Sequence, residues 1–159
     1  MRVFDTPLGR MAVAATSRGL ARVLLPNEAA ALRASASSPH PDAAAEALAA
    51  RAEREILQYL AGRRRKFTVP VDLSAAPAFH AKVLRALARV PYGRTVTYGE
   101  LAARVGRPHG ARAVGQAMAR NPVPLVIPCH RVVACGGGLG GYGGGLDLKR
   151  RLLDLESGR

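Results

Sequence analysis

Thr97-Tyr98-Gly99-Glu100-Leu101-Ala102-Ala103-Arg104-Val105, a turn from Gly106 to Gly110, then Ala111-Arg112-Ala113-Val114-Gly115-Gln116-Ala117-Met118-Ala119-Arg120 is the stretch that sets the architecture of this chain. Thr97 and Glu100 stand at capping-box spacing, in which the threonine oxygen accepts from a first-turn N–H and the glutamate reaches back to the cap. The helix they start runs to about Val105. A second short helix over Ala111 to Arg120 ends at Asn121-Pro122, because proline lacks a donor and pushes its predecessor out of the helical region. Two short helices around a tight Gly-containing turn are the pattern of a helix-turn-helix. The small residues of the second helix suit a backbone that approaches another surface closely, and they suit a tightly packed internal helix equally well.

Outward from this stretch the chain changes character once, near Asp72 to Pro77. After it, Ala78 to Arg89 carries Phe79, Val83, Leu84 and Leu87 at helical spacing and stops before Pro91-Tyr92-Gly93. Leu146 to Leu155 reads as a final amphipathic helix, its Leu148, Leu152, Leu153 and Leu155 covering the core. Before it, Arg2-Val3-Phe4, Met11 to Ala14 and Ala21 to Leu25 are short apolar-rich segments parted by Pro7-Leu8-Gly9 and Ser17-Arg18-Gly19, an antiparallel meander. Asn27 to Pro41 reads as a polar connection. Asp42 then caps an Ala-rich helix to about Leu60, with Leu48, Ile56, Leu57 and Leu60 near one face. Lys66 to Val71 alternates like a half-buried strand and is expected to join the sheet. The expected fold is α+β, with a small N-terminal domain of antiparallel sheet and helix over residues 1–73. A mainly helical C-terminal domain with the helix-turn-helix follows over residues 74–159.

The 159 residues are 48% hydrophobic and 22% charged, a globular balance rather than a disordered one. No run approaches a membrane span, and Asp5, Pro7 and Gly9 interrupt the N-terminus where a secretory signal needs an unbroken apolar stretch. A cytoplasmic location and no membrane partner are expected. The two cysteines, Cys129 and Cys135, do not form a disulfide scaffold and read as reduced thiols. With 24 Lys and Arg against 11 Asp and Glu the net charge is +13 and the pI near 11.3. That excess favours a polyanion, nucleic acid first; a merely solvated basic surface is the alternative.

Val123-Pro124-Leu125-Val126-Ile127-Pro128-Cys129-His130-Arg131-Val132-Val133 is apolar on both sides of one Cys-His pair. A buried structural cysteine would look similar, since free cysteine behaves as a small hydrophobe. A neighbouring imidazole and a cation can instead favour the thiolate, the species that attacks carbon. Chain neighbours point to opposite sides of an extended segment, so His130 need not touch the Cys129 sulfur directly, and a bridging water could carry the proton.

This sequence resembles the O6-alkylguanine-DNA alkyltransferases, also called methylated-DNA–protein-cysteine methyltransferases. The resemblance is carried by Ile127-Pro128-Cys129-His130-Arg131-Val132, preceded by Ala111-Arg112-Ala113-Val114-Gly115 and Asn121-Pro122-Val123-Pro124 and followed by Gly140-Gly141-Tyr142-Gly143-Gly144-Gly145-Leu146. It is dense from Phe79 to Glu156 and looser over the N-terminal sheet. It implies irreversible, single-turnover transfer of an alkyl group from O6-alkylguanine, and less readily O4-alkylthymine, in double-stranded DNA to Cys129. By resemblance Cys129 is the acceptor, His130 its base, Glu156 the orienter of that base, Tyr98 a donor to the purine ring, and Asn121 the brace of the active-site turn. Met118, Val132, Tyr142 and Gly143 would form the substrate pocket, with Gly143 standing where other members have serine. Arg112 would fill the gap left by a flipped nucleotide, from a helix offered to the minor groove with Ala111, Ala113 and Gly115 allowing close approach. Arg94, Arg104, Arg107 and Arg120 are candidate phosphate contacts. The resemblance implies a monomer, with cooperative assembly on DNA left open.

Three other classes are less well served by these residues. A cysteine hydrolase would need a local signature that is missing, a non-catalytic alkyltransferase-like protein would lack Cys129, and a transcriptional regulator would need a sensor or dimer element. No metal or cofactor is expected, since two cysteines and four scattered histidines make no convincing zinc site and no nucleotide-cradling loop is evident.

Overall fold

Short apolar-rich segments near the N-terminus build three strands, β1 (Arg2–Thr6), β2 (Gly9–Thr16) and β3 (Gly19–Leu24), paired antiparallel in that order. Phe4 stands opposite Met11 and Val13 opposite Val23, and all four are buried. The computed structural model describes residues 1–32 and 42–158. They fall into two compact units, Met1–Ser74 and Ala75–Arg159.

In the first unit the chain leaves β3 through a one-turn helix, α1 (Pro26–Ala29), where a polar connection was expected from Asn27 onward. Pro26 sits in its first turn, where a missing N–H has no intrahelical partner to lose. Residues 33–41 of the expected connection lie outside the described residues. Helix α2 (Ala43–Leu60) starts as expected, with the Asp42 carboxylate accepting from Ala44 N at 2.9 Å. It packs on β2 and β3 through Ala49, Ala52, Ile56 and Tyr59, while Leu48, Leu57 and Leu60 are only half-buried. The buried face is thus one residue over from the leucines, because alanines let the helix approach the sheet more closely.

Lys66 to Val71 does not form the expected strand. It meets the sheet at one parallel bridge, Leu20 opposite Val71, with Leu20 N donating to Pro70 O and Asp72 N to Leu20 O, both at 2.8 Å. Gly19 permits this approach, since a Cβ there would fall 2.7 Å from Pro70 O. The donors that a ladder would use are taken by Glu55 of α2, whose carboxylate accepts from Thr68 N at 2.9 Å, Val69 N at 3.1 Å and the Thr68 hydroxyl at 2.6 Å. The alternation itself is real: Val69 is buried and the Phe67 ring lies 5.3 Å from that of Tyr59.

The second unit contains α3 (Ala78–Leu87), β4 (Val96–Thr97), α4 (Tyr98–Arg104), α5 (Ala111–Ala119), a 3-10 turn (Cys129–Arg131), β5 (Val132–Val133) and α6 (Leu146–Ser157). Helices α3, α4 and α5 pack on one another, burying Val83, Leu84, Leu87, Leu101, Val114 and Ala117. Thr97 Oγ1 accepts from Glu100 N at 3.0 Å; the Glu100 side chain stays in solvent, so only the forward half of the capping box is made. Strands β4 and β5 pair in parallel, Val96 opposite Val132 and Thr97 opposite Val133. That pairing sets the start of α4, with Tyr98, beside the segment that follows Cys129.

Helix α6 departs from the expected leucine face. Its buried residues are Lys149, Leu152 and Glu156, while Leu148, Leu153 and Leu155 are half-buried. Two ionisable side chains therefore flank a single leucine on the inner face. No helix among the described residues is long and apolar enough to cross a membrane.

Candidate active site

The turn before Cys129 is held by one side chain. Asn121 Nδ2 donates to Ile127 O and its Oδ1 accepts from Val123 N, both at 3.0 Å. Between them Leu125 has φ +73°, a left-handed conformation that costs a non-glycine residue about 1–2 kcal/mol, yet its side chain is buried as an anchor. Cys129 opens the 3-10 turn and is 8% exposed. Burial raises its thiol pKa to about 11, against the opposing influence of a hydrogen bond from Asn121, nearby backbone N–H groups and the charge of Lys149. The resting group is a protonated thiol. The expectation that the flanking Arg131 favours the thiolate is corrected here, because that guanidinium is committed elsewhere.

Arg131 Nε donates to Glu156 Oε1 at 2.8 Å and Nη2 to Oε2 at 3.0 Å, a forked pairing, while Nη1 donates to Val90 O at 2.7 Å. His130, fully buried, meets the same carboxylate through Nε2 at 2.6 Å, and Gly93 N donates to Oε1 at 3.2 Å. The Glu156 side chain is thereby held between an imidazole, a guanidinium and a backbone donor. Burial lowers the His130 pKa; Glu156 opposes that shift, and the charges of Arg131 and Lys149 add to it. A neutral imidazole held in one orientation is equipped to receive a proton.

Lys149 was not found from the sequence. It is fully buried on α6, and its Nζ donates to Val132 O at 2.5 Å, to Gly141 O at 3.1 Å and to Leu139 O. Its only sequence signal was a cation two turns before Glu156 on a helix otherwise read by its leucines. Tyr98 is half-buried at the start of α4, and Gly140 lies against its ring: a Cβ at Gly140, where φ is +71°, would fall 3.0 Å from Tyr98 Cε2 and Oη. Tyr142 buries its hydroxyl, which makes no hydrogen bond among the described residues; Gly143 is exposed, Met118 half-buried and Val132 fully buried.

On α5 only Val114 and Ala117 are buried; Ala111, Arg112, Gln116, Ala119 and Arg120 are exposed, and Ala113 and Gly115 half-buried. A Cβ at Gly115 would meet nothing within 4 Å. Internal packing does not explain the small residues of the outer face, so the internal-helix alternative falls away. Arg94, Arg104 and Arg107 are exposed as well, with the Arg107 guanidinium 4.2 Å over the Phe79 ring. Residues 75–159 hold 13 of the 24 Lys and Arg but 4 of the 11 Asp and Glu. No group of three His, Cys, Asp or Glu side chains is placed to hold a metal ion among the described residues.

A basic helix-turn-helix unit built around a buried cysteine, with an oriented histidine–glutamate pair beside it, defines a class: DNA-binding proteins that carry their own nucleophile. Residues 1–73 match the ribonuclease-like domain, and residues 78–158 the DNA binding domain, of 6-O-methylguanine DNA methyltransferase. The methylated-DNA–protein-cysteine methyltransferase of Mycobacterium tuberculosis is 37% identical over 99% of this chain and 92% of its own length. The inducible enzyme of Bacillus subtilis is 48% identical over 64% of this chain and 56% of its own. The crystal structure of Mycobacterium tuberculosis OGT in complex with DNA superposes with a TM-score of 0.81 at 36% identity, covering 99% of this chain and 92% of that one. The chain belongs to the 6-O-methylguanine DNA methyltransferase family.

Proposed function

We propose that this protein repairs DNA by moving the alkyl group of O6-alkylguanine onto its own Cys129, once per molecule. The observation that carries the reading is the buried Cys129-His130 turn, with the imidazole bound to Glu156 at 2.6 Å inside the helix-turn-helix unit. Cys129 loses its proton to His130 through a bridging water. The proton is received at Nδ1, since Nε2 is engaged by Glu156, and the imidazolium formed is stabilised by that carboxylate. The sulfur forms a bond to the alkyl carbon as the carbon–O6 bond breaks, and the electron pair passes into the purine. Tyr98 donates to the ring while this charge develops, and the proton taken from the thiol restores neutral guanine. Asn121 holds the turn in register. Met118, Val132, Tyr142 and Gly143 form the pocket.

DNA is the partner, engaged by α5. A base in a duplex is out of reach, so the nucleotide is rotated out at a cost of a few kcal/mol and Arg112 occupies the gap from the minor groove. Arg94, Arg104, Arg107 and Arg120 contact phosphates, and affinity falls steeply as salt rises. The protein acts as a monomer. Its reaction consumes a free thiol, which suits the reducing cytoplasm.

Intact mass spectrometry after mixing with an O6-methylguanine duplex tests acceptor and reaction together. One methyl per molecule is expected, on the Cys129 peptide, with a plateau however much substrate is supplied. A methyl on Cys135, or continued turnover by active-site-titrated protein, would overturn the reading. Arg112→Ala should slow duplex repair more than reaction with free O6-benzylguanine, and equal losses would remove Arg112 from base extrusion.

A further inference from the structure

Helix α3 carries a charge pattern that neither the transfer reaction nor the α5 interface uses. Lys82, Arg85 and Arg89 are all exposed, and none of their side chains has a hydrogen-bond or ion-pair partner among the described residues. Ala88 keeps helical dihedrals and Arg89 N donates to Ala86 O at 3.2 Å, so the chain goes on turning through Arg89. At about 3.6 residues per turn the three cations share one face, opposite Leu84 and Leu87, which are buried in the core of the unit. The side chains beside them on that face, Ala78 and Ala86, are too small to screen them.

Like charges three and four residues apart repel along a helix, and an acid at the same spacing ordinarily offsets them. Helix α6 shows the ordinary case: its exposed Arg150 and Arg151 stand three and four residues from Asp147 on one side and Asp154 on the other. Helix α3 has no such relief, because the sequence holds no Asp or Glu from Leu73 to Gly99. Arg85 and Arg89 stand near the carbonyl end of the helix, which favours cations, but Lys82 lies before the last turn, where that influence has faded. From Lys82 to Arg89 the stripe runs about 10 Å along the axis. One strand of duplex DNA presents a phosphate about every 3.4 Å of its axis, so the stripe spans about three phosphates. Helices α3 and α5 pack on each other by their buried faces, and the exposed face of each points away from the other. A duplex held along α5 therefore does not cover the stripe.

We propose that the exposed face of α3 is a second DNA-backbone surface, which takes a duplex segment other than the one engaged by α5, so that protein loaded on one duplex holds another. The proposal goes beyond alkyl transfer and needs only DNA as the partner, in keeping with the DNA binding domain that residues 78–158 match. Contacts to phosphates alone carry no sequence information, so the second segment is taken whatever its sequence and whether or not it is damaged. Three such contacts are weak singly and gain strength where several copies sit along one duplex.

In the test, full-length protein is loaded to equal occupancy on a bead-held undamaged duplex, washed, and offered a second, fluorescent duplex. Wild type is compared with Lys82→Gln/Arg85→Gln, which takes two charges from the stripe, and with Arg150→Gln/Arg151→Gln, which takes two from α6; glutamine keeps the helix propensity of the residues it replaces. Wild type should capture the second duplex, and capture should fall by at least about 40-fold from about 50 to about 200 mM salt, the value for three phosphate contacts. The α3 variant should load on the first duplex and take up methyl from an O6-methylguanine duplex as wild type does, yet lose capture about tenfold or more. The α6 variant should capture as wild type does. No capture by wild type, capture undiminished in the α3 variant, or equal losses in the two variants would overturn the proposal. So would weaker loading of the α3 variant on the first duplex, which would place the stripe in the α5 footprint, or displacement of the second duplex by polyglutamate as readily as by free DNA. If Lys82→Gln/Arg85→Gln does not fold, Arg89→Gln set against Arg151→Gln decides on the same criteria.

Discussion

Glu55 in the N-terminal unit and Glu156 in the C-terminal unit are both closed to solvent, 2% and 7% exposed, and both hold arginine. Their partners differ. Glu55 spends its oxygens on Thr68, on Val69 N and on Arg51, groups that only shape the chain. Burial works against its charge, yet these hydrogen bonds outweigh it and hold the carboxylate below its ordinary pKa of 4.5. Glu156 spends its oxygens on His130, Arg131 and Gly93, so the same device orients a base beside a nucleophile. A buried carboxylate is a fastener in either unit; what it fastens decides whether its loss is felt as stability or as chemistry.

The comparison breaks most sharply at the nucleophile. Cys129→Ala should abolish methyl uptake while leaving duplex binding intact, measured by mass spectrometry and by titration of labelled duplex; residual transfer would move the chemistry elsewhere. Next in size is Glu156→Gln, which should slow transfer by about 100- to 1,000-fold through loss of the oriented base. It should also destabilise the fold by about 3–5 kcal/mol, because Arg131 is left buried without its counter-charge. Stability lost with the rate unchanged would reduce Glu156 to a fastener like Glu55. Glu55→Gln should cost about 2 kcal/mol in denaturant unfolding with the rate per folded molecule unchanged. Because the folded carboxylate titrates below its unfolded value, that difference is present above about pH 4.5 and fades as pH falls through the folded pKa. A rate loss in this variant would mean that the two glutamates do not divide the work.

Smaller effects sharpen the same contrast. The His130 pKa lies below the ordinary 6.5, so transfer should be flat from neutral pH upward and decline only in acid, as His130 takes up its proton and can accept no other. A decline already complete at neutral pH would remove His130 as the base. Thr97→Ala, at the cap of the helix that starts with Tyr98, should cost about 1 kcal/mol of stability with little change in rate.

The apolar-rich segments of the meander with their turns, the Asp42 cap, the Thr97 cap and the Pro128-Cys129-His130-Arg131 block were legible because each is a local rule written in neighbouring residues. Two of the misreadings share a cause: a side chain far along the chain took backbone groups that local rules leave to neighbours. Lys66 to Val71 has the pattern of a strand, but Glu55 captures the Thr68 and Val69 donors, and only one bridge to the sheet remains. On α6 the leucines announce an apolar face, whereas the residues that go inside are Lys149, Leu152 and Glu156. Nothing local says that a lysine will meet three carbonyls released by an irregular Gly-rich stretch. Asn27 onward was read as a polar connection, though Pro26 is at home in a first helical turn and opens a short helix there.

The position of Glu156 on the last helix has a consequence for how the protein is made. Its contacts reach back 26 residues to His130, and Gly93 and Tyr92 meet Glu156 and Leu155 across 63 residues. Contacts of such separation carry the largest loop-closure entropy and tend to form late in folding. The reactive centre is therefore expected to assemble late, with Cys129 open to reagents until α6 docks. A pulse of small thiol reagent during refolding should label Cys129 early and spare it late, so that its protection serves as a clock for the docking of α6.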